Sequence, residues 1–146
     1  ELGGDIHIRS VAIKPGKPLT VANFTGTARP VIYFGLPGNP VSALVNCWRF
    51  VRLAMHKLAG LPESDWTPTW LKAIATQDLQ ADEKRETYLW GKLALINGEY
   101  HFTLAGGSHN SGNLINLAGT NALGVVPIGM AAINAGDRVS VLAIEK

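Results

Sequence analysis

A strand, a glycine turn and a long helix in direct succession constrain the fold of this chain more than any other feature of its sequence. Val31–Phe34 is a short apolar run, rich in β-branched and aromatic residues, that predicts a buried strand. Pro37 and Gly38 are typical of a type II turn, in which Gly38 would take the positive φ. Asn39 is a favourable N-cap, and Pro40 suits the first helical position, where its missing N–H costs nothing.

The residues after Pro40 have the spacing of an amphipathic helix. The apolar positions on its predicted face are Val41, Leu44, Val45, Trp48, Val51, Met55 and Leu58. We expect this face, including Trp48 and Met55, to lie in the core, and Gly60 and Pro62 to end the helix. The start of such a helix presents free backbone N–H groups and the positive end of its dipole, which favour an anion. The alternative is a well-capped strand-to-helix connection with no ligand.

Two further strands and a proline-rich loop precede this unit. Ile6–Ile13 alternates at first and then becomes continuously apolar, which predicts a strand that ends buried. Lys14–Pro18, with the sequence KPGKP, predicts a stiff and turned loop, and Leu19–Phe24 predicts a second strand. Three strands and one helix leave one face of a sheet without cover, so we expect this part to be the end of a larger α/β domain.

The second half of the chain has a different periodicity. Residues 61–69 contain two prolines and predict a linker, after which apolar residues recur with a period of two. Asn97-Gly98 is a strong β-hairpin signal, and residues 77–86 predict an exposed turn. The predicted strands are 70–75, 87–96, 100–104, 122–127 and 138–144. Short strands at this spacing predict a small barrel or sandwich.

Composition excludes several classes of protein. Apolar residues make up 47% and charged residues 16% of the 146 residues, which indicates a globular chain rather than a disordered one. No apolar run reaches the length of a membrane span, and no basic cluster is interleaved with aromatic residues. We therefore expect neither a membrane nor nucleic acid as a partner. The single cysteine, Cys47, allows no internal disulfide, and a reducing cytoplasm is the simplest location.

The charges are unevenly distributed along the chain. Residues 1–60 contain seven Lys or Arg and two Asp or Glu, whereas residues 61–146 contain six and nine. This asymmetry favours an anionic small molecule as the ligand of the first part. Lys14 and Lys17 flank the Pro-Gly turn, and two ammonium groups held this close need an anion or carboxylates to offset their repulsion. Two solvated loop lysines are the alternative.

A second loop with the composition of an anion site lies further along the chain. Gly106–Gly112, with the sequence GGSHNSG, is rich in the backbone N–H groups and hydroxyls that bind anions. His109 in this loop has no ligand spacing to the other histidines, so we expect no zinc site. Neither paired carboxylates nor a Ser-His-Asp order is present.

The combination of Lys14–Pro18 with Gly35–Ser42 resembles the molybdopterin molybdenumtransferase family, which comprises the bacterial MoeA proteins and the C-terminal domain of gephyrin. Gly107–Gly112 and Gly136–Val141 resemble the C-terminal domain of that family, so the resemblance covers essentially the whole chain.

This resemblance implies a division of the chain into two parts. Residues 1–62 would be the end of a molybdopterin-binding three-layer α/β domain, and residues 68–146 a small C-terminal β-barrel domain. The chain would then be a C-terminal fragment of the enzyme, inactive in isolation.

The resemblance also implies an activity and a site. Members of the family insert molybdate into adenylylated molybdopterin with Mg²⁺ and release AMP, and they act in the cytoplasm as homodimers. The catalytic lysines of the family correspond to Lys14 and Lys17, and the Mg²⁺ ligands are expected upstream of this chain. The residues expected to bind the cofactor are Pro37, Gly38, Asn39, Pro40, Ser42 and Ser111.

One position departs from the family pattern. Some members have an arginine just before the glycine that corresponds to Gly91, whereas this chain has Trp90, and Arg85 is the nearest alternative cation. Two other functions stay open at this point. One is a non-catalytic scaffold or interaction module of the gephyrin type, and the other is an α/β domain that binds other phosphorylated ligands.

Overall fold

The computed structural model describes residues 3–26, 29–106 and 117–144. Within these ranges, strands followed by helices make up the first half, and the second half consists of strands and their connections. The elements of the first half are β1 (Asp5–Ile8), β2 (Ile13–Lys14), β3 (Thr20–Phe24), β4 (Val31–Gly35), α1 (Pro40–Asn46), α2 (Arg52–Leu58) and α3 (Glu63–Trp66). Those of the second half are β5 (Trp70–Ala75), β6 (Leu79–Gln80), β7 (Glu86–Ile96), β8 (Glu99–Leu104), β9 (Ala122–Val126), β10 (Ala132–Ile133) and β11 (Arg138–Ala143).

The predicted long helix is present and begins where the sequence indicates. The side-chain oxygen of Asn39 accepts a hydrogen bond from the backbone N–H of Ser42 at 3.1 Å, and Pro40 is the first helical residue. A π-helical segment, Cys47–Val51, joins α1 to α2 without a break. The helix ends at Leu58, and Gly60 follows with a φ of +76°.

Two expectations for the strand and turn before this helix are wrong. Gly38 is not in the left-handed region, since Asn39 in an extended conformation with ψ of 122° already directs the chain into α1. β4 is a strand, but Val31, Ile32 and Tyr33 are 49%, 44% and 50% exposed. β4 forms the edge of a three-stranded antiparallel sheet of order β1-β3-β4, and neither of the two core clusters includes its residues.

The predicted strand Ile6–Ile13 is divided between two sheets. β1 pairs with β3, whereas β2 pairs in parallel with the start of β7, where Ile13 lies beside Glu86 and Lys14 beside Thr87. The chain therefore crosses from one sheet to the other between Arg9 and Ala12.

The second half forms the predicted small barrel. The strands follow the order β7-β8-β5-β11-β9, and β9 also pairs with β7, which closes the sheet. Asn97 and Gly98 have φ values of 50° and 85° and connect β7 to β8, as the hairpin signal predicts. The predicted exposed turn 77–86 is wrong at Leu79, which is fully buried because β6 pairs with β10 over the barrel interior.

Phe102 fills the barrel interior between two glycines. Its side chain is fully buried. A Cβ added at Gly124 would lie 2.6 Å from its ring, well inside van der Waals contact, and a Cβ added at Gly91 would lie closer still. The absence of side chains at these two positions therefore makes room for the aromatic ring.

The outer face of the barrel is also buried, because α1 packs against it. Alternate residues of β7, β9 and β11 point outwards and form one core cluster with α1 and β2. Its buried members are Ile13, Val41, Val45, Tyr88, Trp90, Leu123, Val125, Leu142 and Ile144. Trp48 packs against this cluster, whereas Met55 is 61% exposed, so the expectation that Met55 lies in the core is wrong.

Hydrogen bonds between three polar side chains lie within this apolar interface. The hydroxyl of Tyr88 donates to Glu86 and accepts a hydrogen bond from Nε of Arg49 at 2.8 Å. Burial is the largest cause that raises the pKa of Tyr88 far above its usual value, so the phenol stays protonated. The guanidinium of Arg49 also lies over the rings of Phe50 and Trp70, at 5.3 and 5.6 Å from their centroids.

We predict that Gly91→Ala destabilises the protein, because the new methyl group would overlap the Phe102 ring and the backbone of β8. The expected loss in the free energy of unfolding is about 1–3 kcal/mol, measured by chemical denaturation. Gly106→Ala is the matched control, since no atom of the described residues lies within 4 Å of its added Cβ. Equal stability of the two variants would contradict the proposed packing of Phe102.

Candidate anion-binding cleft

The lysine turn is held against the barrel by its own backbone. The N–H groups of Val11 and Leu19 both donate to the carbonyl oxygen of Lys17 at 3.0 Å, and the N–H of Glu86 donates to the carbonyl oxygen of Ala12 at 3.0 Å. Leu19 is only 1% exposed, which anchors the far end of the turn. The stiff loop predicted from the prolines is therefore present, with a fixed backbone and exposed lysine side chains.

Asn46 connects this turn to the helix. Its side-chain Nδ2 donates to the carbonyl oxygen of Gly16 at 3.0 Å and to that of Ser42 at 3.1 Å, and the residue is fully buried. Gly16 has a φ of +119°, and a Cβ there would lie 2.9 Å from Asn46 Nδ2, so both backbone conformation and space require glycine. The sequence analysis missed Asn46, whose signal is a lone amide between apolar positions of the helix.

The cleft that Lys17 lines lies between this turn and the β6–β7 connection. It has a volume of about 480 Å³. Its lining residues, among those described, are Ser10, Val11, Ala12, Lys17, Asp82, Lys84 and Arg85. Three cations and one carboxylate give the cleft a positive balance, which favours an anionic ligand.

Asp82 is the centre of the charged contacts in the cleft. Its Oδ2 accepts from Arg85 Nη2 at 2.5 Å and from Arg85 Nε at 3.0 Å, and its Oδ1 accepts from the backbone N–H of Lys84 at 2.9 Å. The Arg85 hydrogen bond is the largest cause that lowers the pKa of Asp82, followed by the Lys84 N–H. The carboxylate is therefore ionised throughout the neutral range.

The two lysines of the turn differ in their surroundings. Lys14 Nζ lies 3.9 Å from Asp82 Oδ2, so a carboxylate partly offsets its charge. Lys17 Nζ has no partner among the described residues and lines the cleft. We expected an anion or carboxylates to offset the repulsion between the two ammonium groups. Lys14 has a carboxylate nearby, and Lys17 is left to bind an anion.

None of the residues expected to bind the cofactor lines this cleft, within the part of the chain that the structure describes. None of residues 37–40 is among its described lining residues, and Ser42 is only 6% exposed in α1. Asn46 connects Ser42 to the lysine turn, so the two motifs are neighbours through the helix rather than across the cleft. Ser111 and the rest of loop 107–112 lie outside the described residues.

Trp90 and Arg85 have distinct roles. Trp90 is 9% exposed and belongs to the core cluster between the barrel and α1, so it does not line the cleft. Arg85 lines the cleft together with Lys17.

Among the described residues, no three His, Cys, Asp or Glu side chains are grouped as metal ligands. The described helices also include none with the length and apolarity needed to cross a bilayer.

Comparisons with known proteins identify relatives of this sequence. Residues 72–144, half of the chain, match the MoeA C-terminal region (domain IV). The molybdopterin molybdenumtransferase of a Nostoc species is 54% identical over 143 residues, which are 98% of this chain and 32% of that protein. Gephyrin of Dictyostelium discoideum is 30% identical over 158 residues, covering 97% of this chain and 22% of that protein. The chain thus spans about a third of the length of the Nostoc relative and less than a quarter of the length of the Dictyostelium one.

Solved structures share the fold. A molybdopterin biosynthesis MoeA protein from Pyrococcus horikoshii superimposes with a TM-score of 0.73 at 22% identity, over 98% of this chain and 33% of that one. A molybdenum cofactor biosynthesis protein from Pyrococcus furiosus gives a TM-score of 0.69 at 21% identity, over 96% of this chain and 46% of that one.

We predict that Asn46→Ala lowers the free energy of unfolding by about 1–3 kcal/mol, because the carbonyl oxygen of buried Gly16 loses its donor. Chemical denaturation measures the loss. Asn134→Ala is the matched control, since the side chain of Asn134 is exposed. If both variants lose the same amount, Asn46 does not connect the turn to the helix.

We also predict that Arg85→Ala raises the pKa of Asp82, because it removes the largest cause of the depression. A ¹³C NMR titration of the Asp82 carboxyl measures it, with Arg138→Ala as the control. The folded-state pKa of Asp82 is depressed, so its contribution to stability is present above about pH 4 and is lost as the pH falls through the lower, folded-state value. An unchanged pKa in Arg85→Ala would rule out the pairing.

Proposed function

This chain belongs to the MoeA family, and on that premise we propose that it forms part of an enzyme of molybdenum cofactor biosynthesis. The proposed reaction is the insertion of molybdate into adenylylated molybdopterin, with release of AMP. The names of the curated relatives support the reaction class. The observation that carries the proposal for this chain is the unpartnered Lys17 at the edge of a positively charged cleft.

The chemistry of the reaction requires cations fixed before the substrates arrive. Molybdate and the phosphates of the adenylylated substrate are oxyanions, and the departing AMP carries its negative charge away. Lys17 would donate hydrogen bonds to an oxyanion oxygen, and Lys14, which also contacts Asp82, would add positive potential at the same place. Because the turn backbone is hydrogen-bonded to the barrel side, little reorganisation is needed on binding.

The remaining residues of the expected site are proposed as its second wall. Pro37, Gly38 and Pro40 would shape the pocket beside the helix start, which Asn39 caps. Ser42 would act through the backbone of α1, since its side chain is buried. Ser111 is proposed as a further residue that binds the cofactor. We also propose residues 1–62 and 68–146 as the boundaries of the α/β part and the barrel.

Magnesium, dimer formation and the cytoplasmic location are proposed for the complete enzyme. The described residues of this chain include no carboxylate cluster that fits Mg²⁺, so no step is assigned through the metal here. Its ligands would come from elsewhere in the assembled enzyme. The exposed apolar side chains of β1 and β4, among them Ile6, Val31 and Ile32, support a surface that is covered in the full-length protein, by the rest of the α/β domain or by a partner subunit.

We predict that Lys17→Ala in the full-length protein reduces the rate of molybdate insertion by roughly 10²-fold, the effect of removing one preorganised oxyanion donor. Lys14→Ala is expected to reduce it less, because Asp82 already offsets part of that charge. The measurement is molybdenum incorporation into adenylylated molybdopterin, together with AMP release.

Lys92→Ala is the matched control, since Lys92 is exposed on β7 and does not line the cleft. Full activity of both Lys14→Ala and Lys17→Ala would overturn the proposed enzymatic role. It would favour a non-catalytic interaction module, the alternative that the gephyrin relative keeps open.

A further inference from the structure

We propose that Arg49, Tyr88 and Glu86 form a hydrogen-bonded network that fixes the lysine turn relative to the helix, and that Tyr88 is a positioning residue for the reaction. None of the three is among the described residues that line the cleft, so none is expected to touch a substrate. The inference rests on the proposed function, because it concerns how the turn of that site is held in place. The network itself can be tested without any measurement of activity.

Glu86 belongs to the pairing that holds the lysine turn on the barrel. It lies beside Ile13 in the parallel pair of β2 with β7, and Lys14 follows Ile13 directly. The backbone N–H of Glu86 donates to the carbonyl oxygen of Ala12 at 3.0 Å. Its side chain accepts a hydrogen bond from the hydroxyl of Tyr88. The position of Glu86 therefore depends on Tyr88 as well as on the strand pairing.

Arg49 provides the helix side of the network. Its Nε donates to the Tyr88 hydroxyl at 2.8 Å, and its guanidinium lies over the ring of Trp70 at the start of β5. One residue of the helix thus contacts two barrel strands. Arg49 lies in the π-helical segment, where the backbone N–H of Arg52 donates to the carbonyl oxygen of Cys47. Single π-helical turns within α-helices are frequent at functional positions.

The hydroxyl of Tyr88 joins a cation to a carboxylate. It accepts from Arg49 and donates to Glu86, and within the described part of the chain neither charge has an ion-pair partner. Tyr88 is only 1% exposed, and burial is the largest cause that raises its pKa, so the hydroxyl keeps the proton that it donates. Hydrogen bonds to charged groups are stronger than those between neutral groups, above all away from water. Loss of the hydroxyl would leave both charges without this partner.

The network completes a closed set of contacts around the lysine turn. The β2–β7 pairing is only two residues long, and Asn46 bonds to the turn from α1. Arg49 bonds to Tyr88 from the same continuous helix, and Glu86 bonds back to the strand that leads into the turn. The turn is therefore held from the helix and from the barrel, whose relative position the network fixes. A displacement of about 1 Å at a reacting group can lower a rate about 10²-fold, so this placement matters for the reaction.

A general contribution of Tyr88 to stability is the competing explanation, and hydrogen exchange read by mass spectrometry separates the two. In the full-length protein, Tyr88→Phe is expected to make the backbone N–H of Glu86 exchange about tenfold faster, because the β2–β7 pair opens locally. The N–H of Ala75 in β5, which donates to the carbonyl oxygen of Asp137 at 2.9 Å, should keep its rate. Tyr100→Phe is the matched control, since it removes the hydroxyl of an exposed tyrosine outside the network.

The kinetics of molybdate insertion test the positioning role. Tyr88→Phe is expected to lower kcat about tenfold, with a smaller change in either KM, because the cleft keeps its charges but loses their fixed placement. Glu86→Gln keeps an acceptor oxygen for the Tyr88 hydroxyl, so it should retain most of the kcat that Glu86→Ala loses. Equal losses in these two variants would contradict a role of this bond. Tyr100→Phe should leave kcat unchanged, and thermal unfolding checks that each variant is folded at the assay temperature.

Three further results would overturn the inference without touching the proposed function. An unchanged exchange rate at Glu86 in folded Tyr88→Phe would mean that the hydroxyl does not hold the β2–β7 pair. Equal acceleration at Glu86 and Ala75 would make the effect a general loss of stability. Faster exchange at Glu86 with an unchanged kcat would remove the positioning role. Full activity of Lys17→Ala would instead overturn the proposed function itself, while the exchange rates would still decide whether Tyr88 holds the turn.

Discussion

The parallel pairing of β2 with the first residues of β7 is the contact on which the rest of the arrangement depends. It is only two residues long, yet it brings the lysine turn from the α/β part to the end of a barrel strand. The hydrogen bond from Glu86 to Ala12 continues it, and Asn46 secures the other side of the turn from the helix. The charged turn is thereby fixed between two rigid elements. Its cations are held close together before a ligand binds, so binding requires little reorganisation.

The barrel can support this contact because β9 and parts of β7 and β11 are buried on both faces. Their inward side chains surround Phe102, for which Gly91 and Gly124 leave space, and their outward side chains pack under α1. A barrel whose outer wall is part of the core cannot shift relative to the helix without exposing that apolar surface to water. Buried Thr87 connects the β6–β7 connection to this rigid core, because its Oγ1 accepts a hydrogen bond from the backbone N–H of Asp82.

Local signals in the sequence were good predictors of most features that are decided locally, with the turn at Gly38 as an exception. The Asn39 cap, the Pro40 start, the KPGKP turn and the Asn97-Gly98 hairpin all occur as expected, because each depends on the backbone preferences of a few neighbouring residues. The barrel strands followed from their period of two. The prediction of a buried β4 failed, because an apolar run has the same composition whether its faces are covered or form the edge of a sheet.

The sequence by itself determined the start of the helix, the Asn97-Gly98 hairpin, the period of the barrel strands, and that two lysines flank a rigid turn. Only the tertiary structure decided that Lys14 contacts Asp82 while Lys17 does not, that Arg85 rather than Trp90 lies beside them, and that Asn46 joins the turn to α1. Lys14 and Asp82 are far apart along the chain, and nothing in their own neighbourhoods indicates the pairing. Their contact results from strand pairing and burial, which depend on the whole chain at once, whereas turns and caps depend on backbone energies within a few residues.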